Sequence, residues 1–198
     1  MMIMGVDPGY AIVGFGFVRY EPPRFIPAEY GSIVTKAGDP FEKRLEIIFR
    51  RTVELIDKRK PDAMAIEKLY YANNAKTVIG VAEARGVILL AAQMRHVPIF
   101  EYTPLQVKQA VTGYGQAIKP QMQEMTRRLL CLRDIPKPDD TADALAIAIC
   151  HGQNCKVTRR LDLMQAMTPH LICAVSAFRY KAVYPCRRSP GSLRPCPR

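Results

Sequence analysis

The sequence predicts an α/β fold, in which a mixed five-stranded sheet carries helices on both of its faces. Three apolar, strand-like segments follow one another in the first 35 residues with short links, a spacing that predicts antiparallel neighbours. Strand-like and helix-like segments then alternate as far as residue 150, which favours parallel strands joined by helices. An antiparallel first part and a parallel second part together give a mixed sheet.

The three opening strands are runs of apolar and β-branched residues that stop at turns. The first run extends from Ile3 to Asp7, and a turn that contains Pro8-Gly9 separates it from the second, Ile12 to Tyr20. The third extends from about Phe25 to Thr35. Their short links leave no room for a crossover helix, so we expect an antiparallel meander.

Helices and two further strands follow. A long amphipathic helix is predicted from Asp39-Pro40 to about Lys60, because its apolar residues recur on one face. The later elements follow the same rules and are, in order, a strand 63–67, a helix from Asn73 or Asn74 to 95, a strand 97–102, a short helix from Thr103-Pro104, a loop 113–118, and helices 120–130 and 140–150.

One domain is predicted over residues 1–152, followed by a basic tail over 153–198. The tail has recurring prolines, four of the six cysteines and little hydrophobic periodicity, a composition typical of poorly ordered sequence. Residues 151–198 hold nine basic residues and one acidic residue, whereas residues 1–150 hold 20 and 17. Since most of the net charge of +11 lies in the tail, it does not by itself indicate that the domain binds nucleic acid.

Other features of the composition bear on the location of the protein. The apolar stretches are too short for a transmembrane helix, and the chain begins with a predicted strand instead of a signal peptide. The six cysteines include no C-x-x-C pair and no metal-ligand spacing. We therefore expect a cytoplasmic protein with reduced thiols.

Four acidic residues lie at element ends that this fold brings together. Asp7 closes the first strand, Glu67 closes the fourth, and Asp140 and Asp143 open the last helix on one of its faces. Singly, each is more typical of a solvated turn residue or a helix cap, and Asp139 is expected to be the cap. Together, buried carboxylates repel one another unless protons or divalent metal ions lie between them. The set predicts a magnesium-dependent site that cleaves phosphodiesters.

Six short segments around these acids also suggest a family. They occur in order between residue 2 and about residue 151, and they are Gly5-Val-Asp-Pro-Gly9, Ala65-Ile-Glu67, Ala84-Arg-Gly-Val87, Phe100-Glu-Tyr102, Gln106-Val-Lys-Gln109 and Asp140-Thr-Ala-Asp-Ala-Leu-Ala-Ile-Ala148. This series closely resembles the RuvC family of bacterial Holliday-junction resolvases. The resemblance implies an RNase H-like, or retroviral-integrase-like, fold and a homodimer. It also implies paired symmetric nicks across four-way DNA junctions, in DNA recombination and repair.

The resemblance assigns roles to the acids. It implies that Asp7, Glu67, Asp140 and Asp143 are the catalytic residues and bind two Mg²⁺ ions per subunit, with Mn²⁺ as a substitute. Asp7 would bridge the two ions, with Glu67 on one and Asp140 with Asp143 on the other. Two such ions can activate water, neutralise the phosphate and stabilise the leaving oxygen.

DNA contacts and partners are implied in the same way. Lys108 and Lys119 match family positions that hold the scissile phosphate, and Tyr70 matches an aromatic residue that stacks on an unpaired base at the crossover. Without the resemblance, the lysines would be interpreted as solvated and Tyr70 as part of the core. The helix that starts at Asn74 resembles the family's dimer helix, although an ordinary buried helix has the same pattern. Association with the RuvA–RuvB branch-migration complex is a further implied partnership.

Two other classes of protein share the predicted sheet. Residues 5–14 also resemble the first phosphate loop of the actin, heat-shock-chaperone and sugar-kinase superfamily. That superfamily needs a second domain and an adenosine motif, which 198 residues cannot hold. A nuclease of the same fold that processes ribosomal RNA stays open, and a preference for RNA over four-way DNA would distinguish it.

Overall fold

The computed structural model describes residues 1–69 and 75–166, with side chains described over residues 1–69 and 78–155. The chain divides into two units, Met1–Cys155 and Lys156–Arg198. The elements are, in chain order, β1 (Met2–Asp7), β2 (Ile12–Glu21), β3 (Arg24–Val34), α1 (Phe41–Arg59), β4 (Ala63–Glu67), α2 (Ala75–Met94), β5 (Ile99–Tyr102), α3 (Pro104–Thr112), α4 (Lys119–Leu129) and α5 (Asp139–Ala166).

The five strands form one sheet in the order β3-β2-β1-β4-β5. β2 pairs antiparallel with both β1 and β3, whereas β4 pairs parallel with both β1 and β5. The parallel pairs are those whose strands are joined through α1 or α2, because a parallel connection must cross the sheet. The predicted mixed five-stranded sheet is confirmed.

The alternation of side chains along the strands separates two apolar cores. On one face of the sheet, α1 and α2 cover bulky side chains such as Met4, Val6 and Ile66. On the other face, residues of α5 such as Leu145 pack with Ile3, Val18 and Ala65. Asp7 and Glu67 continue the odd-numbered rows of β1 and β4, so their side chains belong to the face that α5 covers.

Glycines let α5 approach the sheet closely. A Cβ atom added at Gly5 would overlap the backbone of Ala144, and one added at Gly14 would overlap the carbonyl group of Asp140. Gly14 is also the partner of Asp7 in the β1–β2 register. The start of α5 is therefore fixed directly beside the end of β1.

The structure differs from the sequence prediction mainly in α5. Its predicted end at Cys150 is wrong, since the helix continues to Ala166. Apolar periodicity fades after residue 150, but no proline or glycine follows Gly152 until Pro169, so nothing in the local sequence stops the helix. The predicted boundary at 152 and the poorly ordered tail stay predictions. The predicted caps Asn73 and Asn74 lie outside the described residues.

The structure also bears on the expectations about membrane-spanning helices and cysteines. Among the described residues, no helix is long and apolar enough to cross a membrane. Cys131, Cys150 and Cys155 are free thiols.

Candidate active site

The structure brings the four predicted acids to one edge of the sheet. Val6 and Ile66 are the last paired residues of the parallel β1–β4 ladder, so Asp7 and Glu67 follow as neighbours at the carboxyl ends of these strands. Gly14, opposite Asp7, lies against Asp140 at the start of α5. Asp143 follows one turn later on the same helix.

Burial and mutual repulsion dominate the electrostatics of this edge. Burial, followed by the charges of Glu67, Asp143 and Asp140, raises the pKa of Asp7 to about 7, against a smaller lowering by Lys119. Burial, and then the charge of Asp143, also raises the pKa of Glu67. The pKa of Asp143 is raised by burial as well. These carboxylates therefore hold protons more tightly than solvated ones, which shows that their negative charge is only partly compensated.

Lys119, the first residue of α4, supplies part of the compensation. Its Nζ atom lies 3.1 Å from Oδ2 of Asp139 and 3.5 Å from Oδ2 of Asp143. Asp139, the predicted helix cap, is instead the first helical residue of α5. Its Oδ1 atom accepts a hydrogen bond of 3.0 Å from Nε2 of Gln123. The starts of α4 and α5 are thus tied together beside the acids.

Two clefts open on either side of Glu67. One has a volume of about 420 Å³, and its walls include Lys108, Lys119 and Asp143 as well as Glu67. Lys108 also lowers the pKa of Glu67. The other cleft, of about 270 Å³, is lined by Asp7, Glu67 and Lys68. Both lysines predicted to contact DNA therefore lie beside the acids, whereas the predicted stacking residue Tyr70 is outside the described residues.

Comparison with known proteins decides the family. The profile of crossover junction endodeoxyribonuclease RuvC matches residues 3–151. The chain belongs to the RuvC family. This endodeoxyribonuclease family is the one that the sequence motifs resemble, and the match favours it over the phosphotransferase and RNA-processing alternatives.

Individual RuvC proteins are similar over the same region. The chain is 56% identical over 153 residues to crossover junction endodeoxyribonuclease RuvC of Brevibacillus brevis, an alignment that covers 77% of this chain and 92% of that one. A solved structure of Thermus thermophilus RuvC superposes with a TM-score of 0.75 at 32% identity, over 80% of this chain and 97% of that one. T. thermophilus RuvC in complex with a Holliday junction substrate gives a TM-score of 0.73 at 30% identity, over 79% and 96%. The predicted RNase H-like fold of a RuvC protein is confirmed.

Two arginines that support the site were not singled out by the sequence. Arg85 of α2 forms an ion pair with Glu101 of β5, and its Nε atom donates a 3.4 Å hydrogen bond to the carbonyl oxygen of Glu67. It therefore fixes the backbone from which the Glu67 carboxylate projects. Arg85 lies in one of the RuvC-like segments, Ala84-Arg-Gly-Val87, so the signal was present without an assigned role.

The second arginine holds the turn that follows Asp7. Arg44 of α1 is buried, donates from Nε to Oγ1 of Thr35 at 2.8 Å, and donates from Nη2 to the carbonyl oxygen of Tyr10 at 3.1 Å. A sequence signal existed here as well, since Arg44 occupies an apolar-face position, four residues before the buried Ile48. A charged residue at such a position needs a buried partner.

The acidic set has the donor chemistry of the metal site that the RuvC resemblance implies. The set contains carboxylate oxygens and no histidine or cysteine, which suits a hard cation such as Mg²⁺. Among the side chains that the structure describes, no three acidic, histidine or cysteine groups converge closely enough to hold one ion. Asp143 instead pairs with Lys119. The donor types fit the metal, and closing a ligand shell requires the carboxylates to rotate toward one another.

Proposed function

We propose that this protein resolves four-way DNA junctions by paired symmetric nicks, in bacterial DNA recombination and repair. The observation that carries the proposal is the meeting of Asp7, Glu67, Asp140 and Asp143 at one sheet edge, beside a cleft lined by lysines. The junction as substrate is supported by the related T. thermophilus RuvC, which has been solved with a Holliday junction. A cytoplasmic location and association with a RuvA–RuvB complex complete the proposal.

The four acids would hold two Mg²⁺ ions per subunit, with Mn²⁺ able to replace them. When bound, such ions supply an activated water nucleophile and Lewis-acid stabilisation of the phosphate. The raised pKa values of Asp7, Glu67 and Asp143 support this role, because a bound cation would stabilise carboxylates whose charged form is disfavoured by burial and by their neighbours' charges. The charges of the other three acids all raise the pKa of Asp7, which supports a central place for Asp7 among the residues that would hold the ions.

The lysines of the cleft bear on how a negatively charged substrate binds beside the acids. A phosphodiester is negative and is repelled by four carboxylates, so binding requires positive charge on the cleft wall. Lys108 and Lys119 line the same cleft as Glu67 and Asp143. We assign both lysines to the scissile phosphate, where each acts as a point charge. Tyr70 is assigned to an unpaired base at the crossover, on the resemblance alone.

The proposal requires two copies of the chain. A four-way junction has two-fold symmetry, and each chain has one acidic site, so paired nicks call for a symmetric dimer. One helix offers a matching surface: Ile79, Leu90 and Met94 are exposed along a single face of α2. A helix with apolar residues on all sides is normally packed against neighbouring elements or chains on all sides. We infer that this face of α2 packs against a second copy.

The dimer is tested by mass in solution. Sedimentation should give about twice the 22.3 kDa chain mass, and Leu90→Glu should give the single-chain mass because it places a charge in the apolar contact. Leu105→Glu, which charges an exposed leucine outside α2, is the matched control and should leave the dimer intact. A wild-type monomer that still makes paired nicks would contradict the dimer proposal.

One assay tests the function itself. The protein is incubated with a synthetic mobile four-way junction, a duplex and an RNA–DNA hybrid, each with magnesium or with EDTA. Paired nicks in the junction alone, and only with magnesium, are the expected result. Preferred cleavage of the hybrid would assign the protein to RNA processing instead. Cleavage that persists in EDTA would contradict the metal-dependent site.

A further inference from the structure

Three large apolar side chains are exposed near the mouth of the larger cleft. Leu105, Tyr114 and Ile118 are 58%, 58% and 61% exposed, and we call them the apolar rim. Ile118 lines the cleft directly, together with Lys108 and Lys119. Leu105 lies over Gly115, where an added Cβ would be 2.5 Å from its Cδ1 atom. An apolar cluster beside a charged cleft marks a surface that contacts something besides water.

Tyr114 is held in place although it is exposed. Its backbone N–H donates to Oγ1 of Thr112 at 3.1 Å, and its carbonyl oxygen accepts from the N–H of Ala117 at 3.2 Å. Its hydroxyl donates to Oε1 of Gln116 at 3.1 Å, and Gln116 lines the cleft. The ring is therefore oriented before any ligand arrives, so binding costs little conformational entropy.

The chemistry of the cleft limits what can cover the rim. The lysines suit the phosphates of a nucleic-acid strand, and each phosphate is followed along the strand by a sugar and a base. A base face is the only flat apolar surface that such a strand offers. In a duplex this face is covered by stacking, so it becomes available only where a strand is unpaired. Grooves that bind single strands combine positive charge with aromatic side chains in this way.

We propose that Tyr114 stacks on an unpaired base of the strand that enters the larger cleft, with Leu105 and Ile118 packing against the same nucleotide. The site is separate from Tyr70 and rests on the proposed function, since the unpaired base belongs to the opened junction. The ligand is an unpaired nucleotide whose adjoining phosphate lies between Lys108 and Lys119.

The test is a thermodynamic cycle in which the affinities of protein variants for intact and abasic junctions are compared. Affinity of the full-length protein is measured in EDTA for a four-way junction and for junctions with one abasic nucleotide at successive positions near the crossover. Tyr114→Ala should weaken binding to the intact junction by about tenfold, whereas Tyr114→Phe should keep it, because stacking needs the ring. At one abasic position the wild type should lose the same factor, and Tyr114→Ala should cause no further loss.

The control is Tyr30→Ala, which removes a 43% exposed tyrosine from β3, and it should behave like the wild type on every junction. The inference is overturned if Tyr114→Ala binds as tightly as the wild type. It is also overturned if the losses from Tyr114→Ala and from the abasic nucleotide add at every position, since no base is then the partner of the ring. A wild type that binds the junction no better than duplex contradicts the proposed function instead, so the two failures are distinguishable.

Discussion

Carboxylates paired with cations around α1 and carboxylates buried at the candidate site show opposite behaviour. Near α1, Glu29 pairs with Lys58 and Arg59, and these hydrogen bonds lower its pKa. Asp57 pairs with Arg95, which lowers its pKa in the same way. At the candidate site, burial raises the pKa values of Glu67 and Asp143, and burial together with the neighbouring carboxylates raises that of Asp7 to about 7. The same chemical group is stabilised as an anion in the pairs around α1 and as an acid at the candidate site.

This difference shows what the candidate site lacks. Around α1 the chain supplies its own cations, in solvent-screened surface pairs that contribute little to stability. At the edge of β1 and β4, the lowering of the carboxylate pKa values by Lys108 and Lys119 does not offset the raising by burial and repulsion. The missing positive charge must come from outside the chain, as protons or as metal ions. A site that needs an external cation is a site for binding and chemistry, whereas the pairs around α1 are surface features.

The largest expected effect comes from neutralising one carboxylate in each region. Asp7→Asn should reduce junction cleavage to background, because it removes the acid that interacts with the other three. Junction binding should remain intact or become tighter, since one repulsive charge is lost. Glu29→Gln is the matched control and should leave cleavage unchanged. Cleavage is followed on a labelled junction with magnesium, and binding is followed in EDTA.

Loss of both binding and cleavage in Asp7→Asn, together with a lower melting temperature, would make Asp7 a structural residue. A comparable loss of cleavage in Glu29→Gln would remove the contrast between the two regions.

The next effect concerns how closely α5 approaches the sheet. Gly14→Ala places a methyl group into the carbonyl of Asp140, so α5 must shift. Overpacking of this kind costs about 1–3 kcal/mol of unfolding free energy. Cleavage should fall more than junction binding does, because the shift displaces Asp140 and Asp143 relative to Asp7 and Glu67 while leaving Lys108 of α3 in place. Denaturant unfolding and the cleavage rate are measured together, with Gly38→Ala as a control in open space.

Equal stability of Gly14→Ala and Gly38→Ala would show that α5 is not fixed by this contact. Unchanged cleavage in a destabilised Gly14→Ala protein would show that the position of Asp140 matters less than its charge.

The sequence predicted which acids meet at the edge of β1 and β4, but it did not predict the contacts around them. Asp7 and Glu67 could be placed because a period of two residues decides which strand residues share a face, and Asp140 and Asp143 because a helical period places them one turn apart. Other features depend on residues that are distant in the chain. The pairing of Lys119 with Asp139, the burial of Arg44 and the overlap of Gly14 with α5 are of this kind. Local periodicity carries no information about them.

A smaller effect is expected from pH in the absence of metal. The pKa of Asp7 is about 7 in the folded chain and 3.8 without structure, so the folded state binds more protons between these values. Its contribution to the unfolding free energy therefore falls as the pH rises through this window. In EDTA, the melting temperature of the wild type should decrease from pH 5 to pH 8 relative to Asp7→Asn. Magnesium should restore it at pH 8 more than at pH 5.

The paired carboxylate near α1 should show the opposite sign. Glu29 has a lowered pKa, so its contribution is present above its ordinary value of 4.5 and is lost as the pH falls. The melting temperatures of Glu29→Gln and the wild type should therefore differ above pH 4.5, and this difference should disappear in more acidic solution. For Asp7, melting temperatures of Asp7→Asn and the wild type that change in parallel with pH in EDTA would contradict a raised pKa at the site.

The smallest effect separates the charge of the cleft from the charge of the tail. Residues 156–198 hold nine basic residues and one acidic residue, and none of the RuvC-like segments. Their charge can add phosphate contacts on any DNA, each of which steepens the slope of log affinity against log salt by about 0.9. A chain that ends at Cys155 should therefore keep junction cleavage and junction preference, with weaker duplex binding and a flatter slope. A second chain that ends at Ala166 retains the whole of α5 and controls for cutting the helix. If only the longer chain folds, the boundary predicted at residue 152 is wrong. If both chains fold and lose junction preference, the tail takes part in junction recognition, and the lysines of the cleft are not sufficient for it.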